Sequence, residues 1–442
     1  MNTRASIGRR ATSRHAGRLP ELPDLPSEEL CAALFASLPR ADQRLKARQY
    51  LSGLLAVPGR KSIRNIAALA ARDAHADESA VEQSLHHFIS SSTWDWAPIR
   101  TALAARAGAV QPPLAWVVRP LFIAKAGEHS VGVARQPAPE RGQELNGQLA
   151  FGAWAVGDTV SVPVQWRLRL PELWLTDPRR RRRAEIPAGA EAESLDECAT
   201  ATALSVPGLW QTPARPVVLD LPPEHLHGVL RDFAKARVPL LTRVRGTTRL
   251  TAADRALPGY RAGAAPAHQI MESLRGLRRP LSWRGPGAGS TARRTSLVAA
   301  VRVRLPQRGS GAGSRTRAAV PLVPLVPQPP SELLLVGEWQ DGGKASPDLW
   351  LASPSLAPAP AFSSVGELLR LARLTRRVAR DEERIGERVG MRDFEGRSFN
   401  GWHRHMTLAS AAHAVSALAT AADARAGAGD ESEPLYSRGL SA

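Results

Sequence analysis

The hydrophobic pattern of the chain changes its period at Leu114, and this change constrains the fold more than any other feature of the sequence. Before it, apolar residues recur at helical spacing, as in Leu30, Leu34 and Leu38. After it, four segments are rich in Val, Trp, Phe and Leu, which is typical of strands. These segments are 114–123, 129–135, 147–156 and 160–170.

Helices and strands alternate farther along the chain. Apolar residues spaced i, i+3, i+4 and i+7 from Leu226 to Phe233 predict a helix between two short apolar strands. The pattern predicts a mixed α/β sheet with helices on its faces. The predicted strands are 216–221, 238–244, 332–339 and 348–352, and the predicted helices are 191–204, 364–389 and about 402–422.

The predicted elements group into six segments. A basic arm (1–26) and a tail (423–442) lack periodicity and are expected to be disordered. Between them we predict an all-α domain, an α/β domain in two parts and a β-rich insertion between those parts. Their ranges are 27–110 for the all-α domain, 111–244 and 346–422 for the α/β domain, and 245–345 for the insertion.

The charge of the chain favours a polyanionic partner. The net charge is +18, and only five of the 59 basic residues are lysines, which leaves 54 arginines. Guanidinium groups bind phosphate bidentately, so double-stranded DNA is the simplest partner. An Ala- and Arg-rich genome would also raise the arginine content everywhere, and this alternative stays open.

Arginine is densest in a run of five after Pro178. The run is either a solvated loop or a clamp on DNA phosphates, and we favour the clamp because arginine contacts to phosphate give affinity without reading bases. We predict eight arginines in the phosphate-binding surface: Arg179, Arg180, Arg181, Arg182, Arg183, Arg376, Arg377 and Arg380.

Two short amphipathic helices near the N-terminus are candidates for a helix-turn-helix. Their connection, 72–77, is short enough for this motif. On the second helix, Gln83, His86 and His87 would face outward, where a recognition helix needs polar side chains. Such helix pairs also occur in ordinary bundles, so base reading by this pair remains one of two interpretations.

The cysteines, the hydropathy and the histidines of the chain indicate where the protein is located and whether it binds a metal. Cys31 and Cys198 are too few and too scattered for a disulfide framework or a zinc site. No stretch reaches the ~18 apolar residues of a membrane span, so we expect a cytoplasmic, nucleoid-associated protein with no membrane partner. His403, His405 and His413 have no cysteine or acid near them to complete a metal site, and packing is the expected role.

Five runs, in order, resemble the insertion sequence 701 family of DDE transposases. The resemblance covers roughly residues 30–422 and is specific because the runs are collinear. The runs are HSVGVARQ (129–136), VPVQWRLRLPELWLTDPRRRRRAEIP (162–187), RPVVLD (215–220), LSWR (281–284) and DFEGRSFNGWHRHMTLASAAHA (393–414).

The resemblance implies an RNase H-like mixed sheet with a β-rich insertion, preceded by an all-α domain that binds DNA. It also implies three carboxylates, on the first strand, at the end of the fourth strand and on the long helix after the insertion. These would hold two divalent metals, because activating water and stabilising the leaving oxygen need cations held by hard oxygen ligands.

The chain departs from this pattern at two of the three acid positions. Asp220 matches the second acid, but Arg119, followed by Pro120, stands where the first is expected, and Ala379 stands at the third. The motif residues around the third acid align to Ala372, Thr375, Ala379 and Gly386, at offsets that share one helical face. Glu382 or Glu383 could reach in from the next turn, about 5 Å away.

The resemblance therefore implies a DNA-binding relative of the DDE transposases that is catalytically inactive and needs no cofactor or metal. Two alternatives remain: an active transposase that uses Mg²⁺, and an inactive partner subunit of another transposase. A homodimer is a further expected assembly.

Arg119 and Asp220 are expected to approach each other, since the first and fourth strands of this fold are neighbours. We predict a guanidinium nitrogen within about 4 Å of the Asp220 carboxylate, the usual limit of an ion pair. Because Pro120 has no N–H, strand pairing is expected to lapse or bulge there.

Overall fold

The structure is a computed structural model, and it describes residues 28–139, 141–206, 215–255, 257, 263–284, 293–306, 332–340, 346–356 and 362–429. The predicted arm (1–26) and residues 430–442 of the predicted tail lie outside these residues. The fold is mixed α/β with a mostly helical N-terminal region, as the sequence predicts.

Five helices form the N-terminal region. The side chain of Ser62 caps the third by accepting a hydrogen bond from the Asn65 N–H, and Asp77 caps the fourth in the same way at Ala80. A turn of three residues joins these two helices, with His75 in the left-handed region at φ 51°. The helices are α1 (Glu28–Phe35), α2 (Ala41–Ala56), α3 (Ile63–Ala74), α4 (Glu78–Ser90) and α5 (Ala97–Val110).

Among the described residues, one mixed sheet of twelve strands follows. Its order is β2-β3-β1-β5-β6-β12-β11-β10-β7-β8, with β4 paired to β3 and β9 to β10. Its strands are β1 (Ala115–Ala124), β2 (Ala134–Ala138), β3 (Gln143–Val156), β4 (Ser161–Leu168), β5 (Val217–Leu219), β6 (Leu240–Arg243), β7 (Arg249–Ala252), β8 (Ala264–Pro266), β9 (Arg279–Arg284), β10 (Arg293–Arg304), β11 (Leu333–Trp339) and β12 (Asp348–Ala352).

The strands β4, β3, β1, β5 and β6 form an RNase H-like unit. β3 is antiparallel to both β1 and β4, whereas β5 lies parallel to β1 and to β6. The first and fourth strands of this unit, β1 and β5, are therefore neighbours, as expected. All but the last residue of β1 are buried, which fits a strand covered on both faces.

Seven further α-helices accompany the sheet in the part of the chain that the structure describes. They are α6 (Glu172–Thr176), α7 (Pro178–Arg183), α8 (Leu195–Ser205), α9 (Leu226–Lys235), α10 (Ala267–Ser273), α11 (Phe362–Asp381) and α12 (Phe399–Gly429). α8 begins with a capping box between Ser194 and Glu197.

The predicted strand at 129–135 is misplaced. Strand β2 begins only at Ala134, and the chain turns before it. Gly132 has a φ of +77°, a conformation that glycine adopts without steric cost, so the turn falls at this residue.

The described residues of the segment 245–345 include five strands, β7 to β11, which extend the same sheet. β10 pairs with β11, which pairs with β12, and β12 pairs with β6 of the RNase H-like unit. The domain boundaries given above remain predictions.

Helix α12 lies between the sheet and the N-terminal helices. It packs against β4 and against α2, α4 and α5 of the N-terminal region. Residues 401–417 are all buried, including polar side chains such as His403, Arg404 and His405, so the helix is covered on every side. It continues to Gly429, and the tail predicted from 423 is wrong up to that residue because alanine has the highest helix propensity.

The three histidines of α12 have structural roles. The His405 Nε2 donates to the Gly390 carbonyl (2.9 Å), so in the neutral ring the Nδ1 accepts from the Tyr50 hydroxyl (2.9 Å). His403 stacks on Trp96. His413 meets the ring of Trp154 edge-on. The prediction that packing accounts for these histidines is confirmed.

Acid is expected to destabilise the protein through these rings. Burial lowers the pKa of His405 to about 4 and that of His413 to about 3, from an ordinary 6.5. As the pH falls from 6.5 to below these values, the unfolded chain takes up protons that the folded chain does not. Full protonation should therefore remove about 3 kcal/mol (His405) and about 5 kcal/mol (His413) from the free energy of unfolding. Urea unfolding at several pH values measures this loss.

The control is His413→Phe, which keeps a ring beside Trp154. The variant should show a shallower loss of stability with falling pH, whatever its stability near pH 7. Equal slopes in the two proteins would contradict the assignment of His413.

Candidate functional site

Arg119 and Asp220 follow paired positions of two adjacent parallel strands. Val118 of β1 is level with Leu219 of β5, and the Asp220 N–H donates to the Val118 carbonyl at 2.8 Å. The Arg119 Nε lies 3.9 Å from the Asp220 Oδ2. The predicted ion pair between these residues is confirmed.

The prediction for Pro120 holds on one edge of β1 only. Pairing with β3 runs through Pro120, opposite Phe151, without a bulge, so a lapse on that edge is wrong. On the other edge, the Trp116 N–H faces β5. Backbone N–H groups point alternately to the two edges of a strand, so the nitrogen of Pro120, four residues later, also faces β5. The β5 ladder has already ended at Val118, and no N–H is needed at Pro120.

Glu382 completes the site from the end of α11. The helix gives way to a π turn, Glu382–Gly386, with hydrogen bonds from the Glu387 N–H to the Glu382 carbonyl and from the Met391 N–H to the Gly386 carbonyl. Glu382 is 3% exposed, and its Oε2 lies 3.0 Å from the Arg119 Nη1. A π turn inside a helix is rare and frequently marks a functional site.

The π turn corrects two predictions about the long helix. The helix was expected to continue to residue 389, with Gly386 on the same face as Ala372, Thr375 and Ala379. It ends at Asp381, and the wider turn moves Gly386 out of that register. Of the two acids expected to reach in, Glu382 does so and Glu383 is exposed.

Two more arginines bind the outer oxygens of the two acids. The Arg392 Nη2 lies 2.6 Å from the Glu382 Oε1, and the Arg243 Nε lies 3.1 Å from the Asp220 Oδ1. Each carboxylate therefore has one oxygen towards Arg119 and the other towards a second guanidinium. We call Arg119, Asp220, Glu382, Arg243 and Arg392 the central cluster.

Ion pairs continue from the central cluster across the sheet. Arg243 contacts Asp348 of β12 at 3.5 Å, and Asp348 also receives Arg376 of α11 at 3.1 Å. The next acid, Glu338 of β11, is 2% exposed and pairs with Arg373. Positive and negative side chains alternate along this line, so each buried charge has a partner of opposite sign.

The central cluster does not fit a divalent metal. Such cations need several hard oxygen ligands, and the inner oxygens of both acids here face a guanidinium with a fixed positive charge. Within the described residues, no three His, Cys, Asp or Glu side chains are grouped so that they could hold a metal.

The match to a known family covers most of the chain. A family model described as a DDE superfamily endonuclease matches residues 33–308, more than half of the 442 residues. The chain belongs to the DDE superfamily endonucleases. A comparison with curated proteins finds no match.

Membership in the DDE superfamily implies that the protein binds DNA. The match includes Arg119 and Asp220 and ends before Glu382. In the described part of the chain, no helix is long and apolar enough to cross a membrane.

In this DDE superfamily protein, the run of five arginines forms a helix and is not a loop. Asp177 caps α7 by accepting hydrogen bonds from the N–H groups of Arg179 and Arg180. Arg181 donates to the carbonyls of Pro187 and Ala188, so it holds a turn of the chain. The remaining exposed arginines of the run are Arg179, Arg182 and Arg183.

The three predicted phosphate-binding arginines of α11 make contacts within the protein. Arg376 pairs with Asp348, Arg377 donates to the Thr159 carbonyl at 2.8 Å, and Arg380 lies 3.8 Å from Asp381. Binding of DNA by these three residues remains a prediction.

Gln83, His86 and His87 are exposed on α4, as the helix-turn-helix prediction requires. The first turn of α4 also exposes Asp77 and Glu78. A recognition helix contacts bases through its N-terminal residues, where these carboxylates would meet phosphate charge. Base reading by α4 therefore stays a prediction with an electrostatic argument against it.

Proposed function

We propose that this DDE superfamily protein is a DNA-binding member of the insertion sequence 701 branch that does not cut or join DNA. The observation that carries the proposal is the position of Arg119, with Asp220 at 3.9 Å on one side and Glu382 at 3.0 Å on the other. A guanidinium therefore stands between Glu382 and Asp220, the one residue that matches a metal-binding acid of the family.

Charge explains why Arg119 is more than a missing ligand. Arginine stays protonated, so it repels a divalent cation at every accessible pH. It is also 8% exposed, and removing a buried partner of an ion pair leaves an uncompensated charge. The same side chain thus supplies positive charge to Asp220 and Glu382 and blocks the entry of a metal.

An active transposase remains the second candidate, and Glu382 is the observation in its favour. Its carboxylate lies where the family's third acid, replaced here by Ala379, would be expected. Two acids therefore face each other across Arg119. Activity would require Arg119 to leave this position. An inactive subunit beside an active transposase would use the same central cluster and is distinguished by co-purification of the second protein.

DNA binding is expected without metal and with a strong dependence on salt. The net charge of +18 and the exposed arginines of α7 favour phosphate contacts, and each contact releases counterions. With roughly 6–10 phosphate contacts, affinity should fall by about 10³–10⁵ between about 50 and 200 mM salt. Fluorescence anisotropy with a labelled duplex in EDTA measures this.

Two results would contradict the DNA-binding proposal: no binding at low salt, or an affinity that is independent of salt. Changing Arg179, Arg182 and Arg183 to Ser should weaken binding to all sequences alike, whereas changes at Gln83 or His87 should alter sequence preference if α4 reads bases. In the cell, such a protein would associate with the nucleoid and occupy DNA ends or regulatory sites.

A further inference from the structure

A small cavity near the run of arginines is lined by arginine side chains from two segments and by His129 from a third. Its volume is about 190 Å³, and its walls include His129, Trp174, Arg180, Arg183 and Arg397, with Glu128 at the same site. We call it the arginine pocket. Its lining residues do not belong to the central cluster.

Hydrogen bonds fix the three segments of the arginine pocket relative to one another. The Phe399 N–H donates to the Ala184 carbonyl at 2.7 Å, which ties the start of α12 to the end of α7. The Trp174 Nε1 donates to the Val133 carbonyl at 2.8 Å, which ties α6 to the chain just after His129. The guanidinium of Arg180 lies 5.5 Å from the centre of the Trp174 ring.

The charges in the arginine pocket are unbalanced. Three guanidinium groups face one carboxylate, that of Glu128. Arg180 has a partner in Asp177 at 3.6 Å, but Arg183 and Arg397 are exposed and form no ion pair with a described residue. These two side chains reach the same small cavity from different segments, so a single anion can contact both.

We propose that the arginine pocket holds one phosphate group of the DNA backbone, bound jointly by Arg183 and Arg397, with His129 as an additional hydrogen-bond donor. This inference rests on the proposed DNA-binding function and adds residues from outside the arginine run. A planar guanidinium donates two parallel hydrogen bonds to phosphate, and two such groups fix its position. The pocket would therefore set where the duplex lies on the protein without reading its sequence.

Shared contact with one phosphate predicts non-additive losses. Arg183→Ala and Arg397→Ala should each weaken binding to a mixed-sequence duplex by about tenfold, the effect of a lost charged hydrogen bond. The double variant should be little weaker than either single variant. Its plot of log affinity against log salt should lose about 0.9 in slope, the value for one phosphate, instead of about 1.8 for two.

Arg182→Ala is the matched control, since Arg182 is exposed on the same helix and does not line the cavity. Its effect should add fully to that of Arg397→Ala. Glu128→Gln should strengthen binding, because it removes the one carboxylate of the pocket. Thermal unfolding of each variant, expected at the wild-type temperature, shows that the fold is intact.

The outcomes distinguish a failure of the shared-phosphate proposal from a failure of the proposed DNA-binding function. If wild-type protein binds no DNA, the proposed function fails. If wild-type protein binds DNA but the effects of Arg183→Ala and Arg397→Ala add, or equal that of Arg182→Ala with unchanged slopes, the shared phosphate is wrong and DNA binding stands. Weaker binding after Glu128→Gln also overturns the assignment.

Discussion

Replacing Arg119 with methionine is expected to lower the free energy of unfolding by about 3–5 kcal/mol, the cost of leaving a buried charge without its partner. Asp220 and Glu382 would face each other with only their outer oxygens paired, to Arg243 and Arg392. Urea unfolding at neutral pH measures the loss. Methionine keeps most of the side-chain volume, so the effect reports on charge more than on a cavity.

A surface pair gives the matched control for this loss. Arg370 pairs with Asp158, and both side chains are 58% exposed, so Arg370→Met should cost less than about 1 kcal/mol. Adding Asp220→Asn and Glu382→Gln to Arg119→Met should restore most of the lost stability, because Arg243 and Arg392 can turn to solvent. If Arg119→Met costs no more than Arg370→Met, Arg119 does not neutralise these acids.

Changing Arg119 to aspartate is expected to convert the central cluster into a metal site. The side chain at position 119 would then join the inner oxygens of Asp220 and Glu382, and three carboxylates are a suitable ligand set for Mg²⁺ or Mn²⁺. Without metal the variant should be less stable than Arg119→Met, since like charges repel. Mn²⁺ at about 100 times its Kd should raise the free energy of unfolding by about 2.7 kcal/mol.

The role of Glu382 decides this prediction. Stabilisation by Mn²⁺ should disappear when Glu382→Gln is added to Arg119→Asp, and Ala379→Glu should not be needed. Stabilisation that survives Glu382→Gln but requires Ala379→Glu would mean that the third acid belongs at position 379. Wild-type protein, measured in parallel, should show no stabilisation by Mn²⁺.

The sequence predicted the two strands that hold Arg119 and Asp220, because buried strands are visible in it as short apolar runs. Apolar runs placed β1 and β5 to within a residue or two, and the order of strands in the RNase H-like unit brought Arg119 beside Asp220. The position of Arg243 beside Asp220 could be predicted in the same way. Leu219 pairs with Thr242 in parallel register, so the residues that follow them, Asp220 and Arg243, are level.

The sequence did not predict the π turn that brings Glu382 into the site. A π turn differs from an α-helix by one residue in a single turn, and no residue type at 382–386 signals it. The helical register therefore pointed to Ala379 and Gly386. Arg392 was missed for a related reason, since it lies after the turn and reaches Glu382 only because the chain folds back there.

The helix α7 was missed although the sequence contained its signal. Asp177 and Pro178 are an N-cap residue and a first-turn proline, the usual start of a helix. The consequence is functional, because the helix separates exposed arginines from Arg181, which is used to hold the turn at Pro187 and Ala188.

Metal-dependent cleavage of DNA is the most direct test of the central claim that Arg119 has replaced the catalytic metals. Purified wild-type protein and its Asp220→Asn variant would be incubated with Mn²⁺ and a supercoiled plasmid carrying the DNA that flanks the gene. The expected result is no nicking by either protein, at salt concentrations where both bind the plasmid. Nicking by the wild-type protein that is lost in Asp220→Asn would contradict the account.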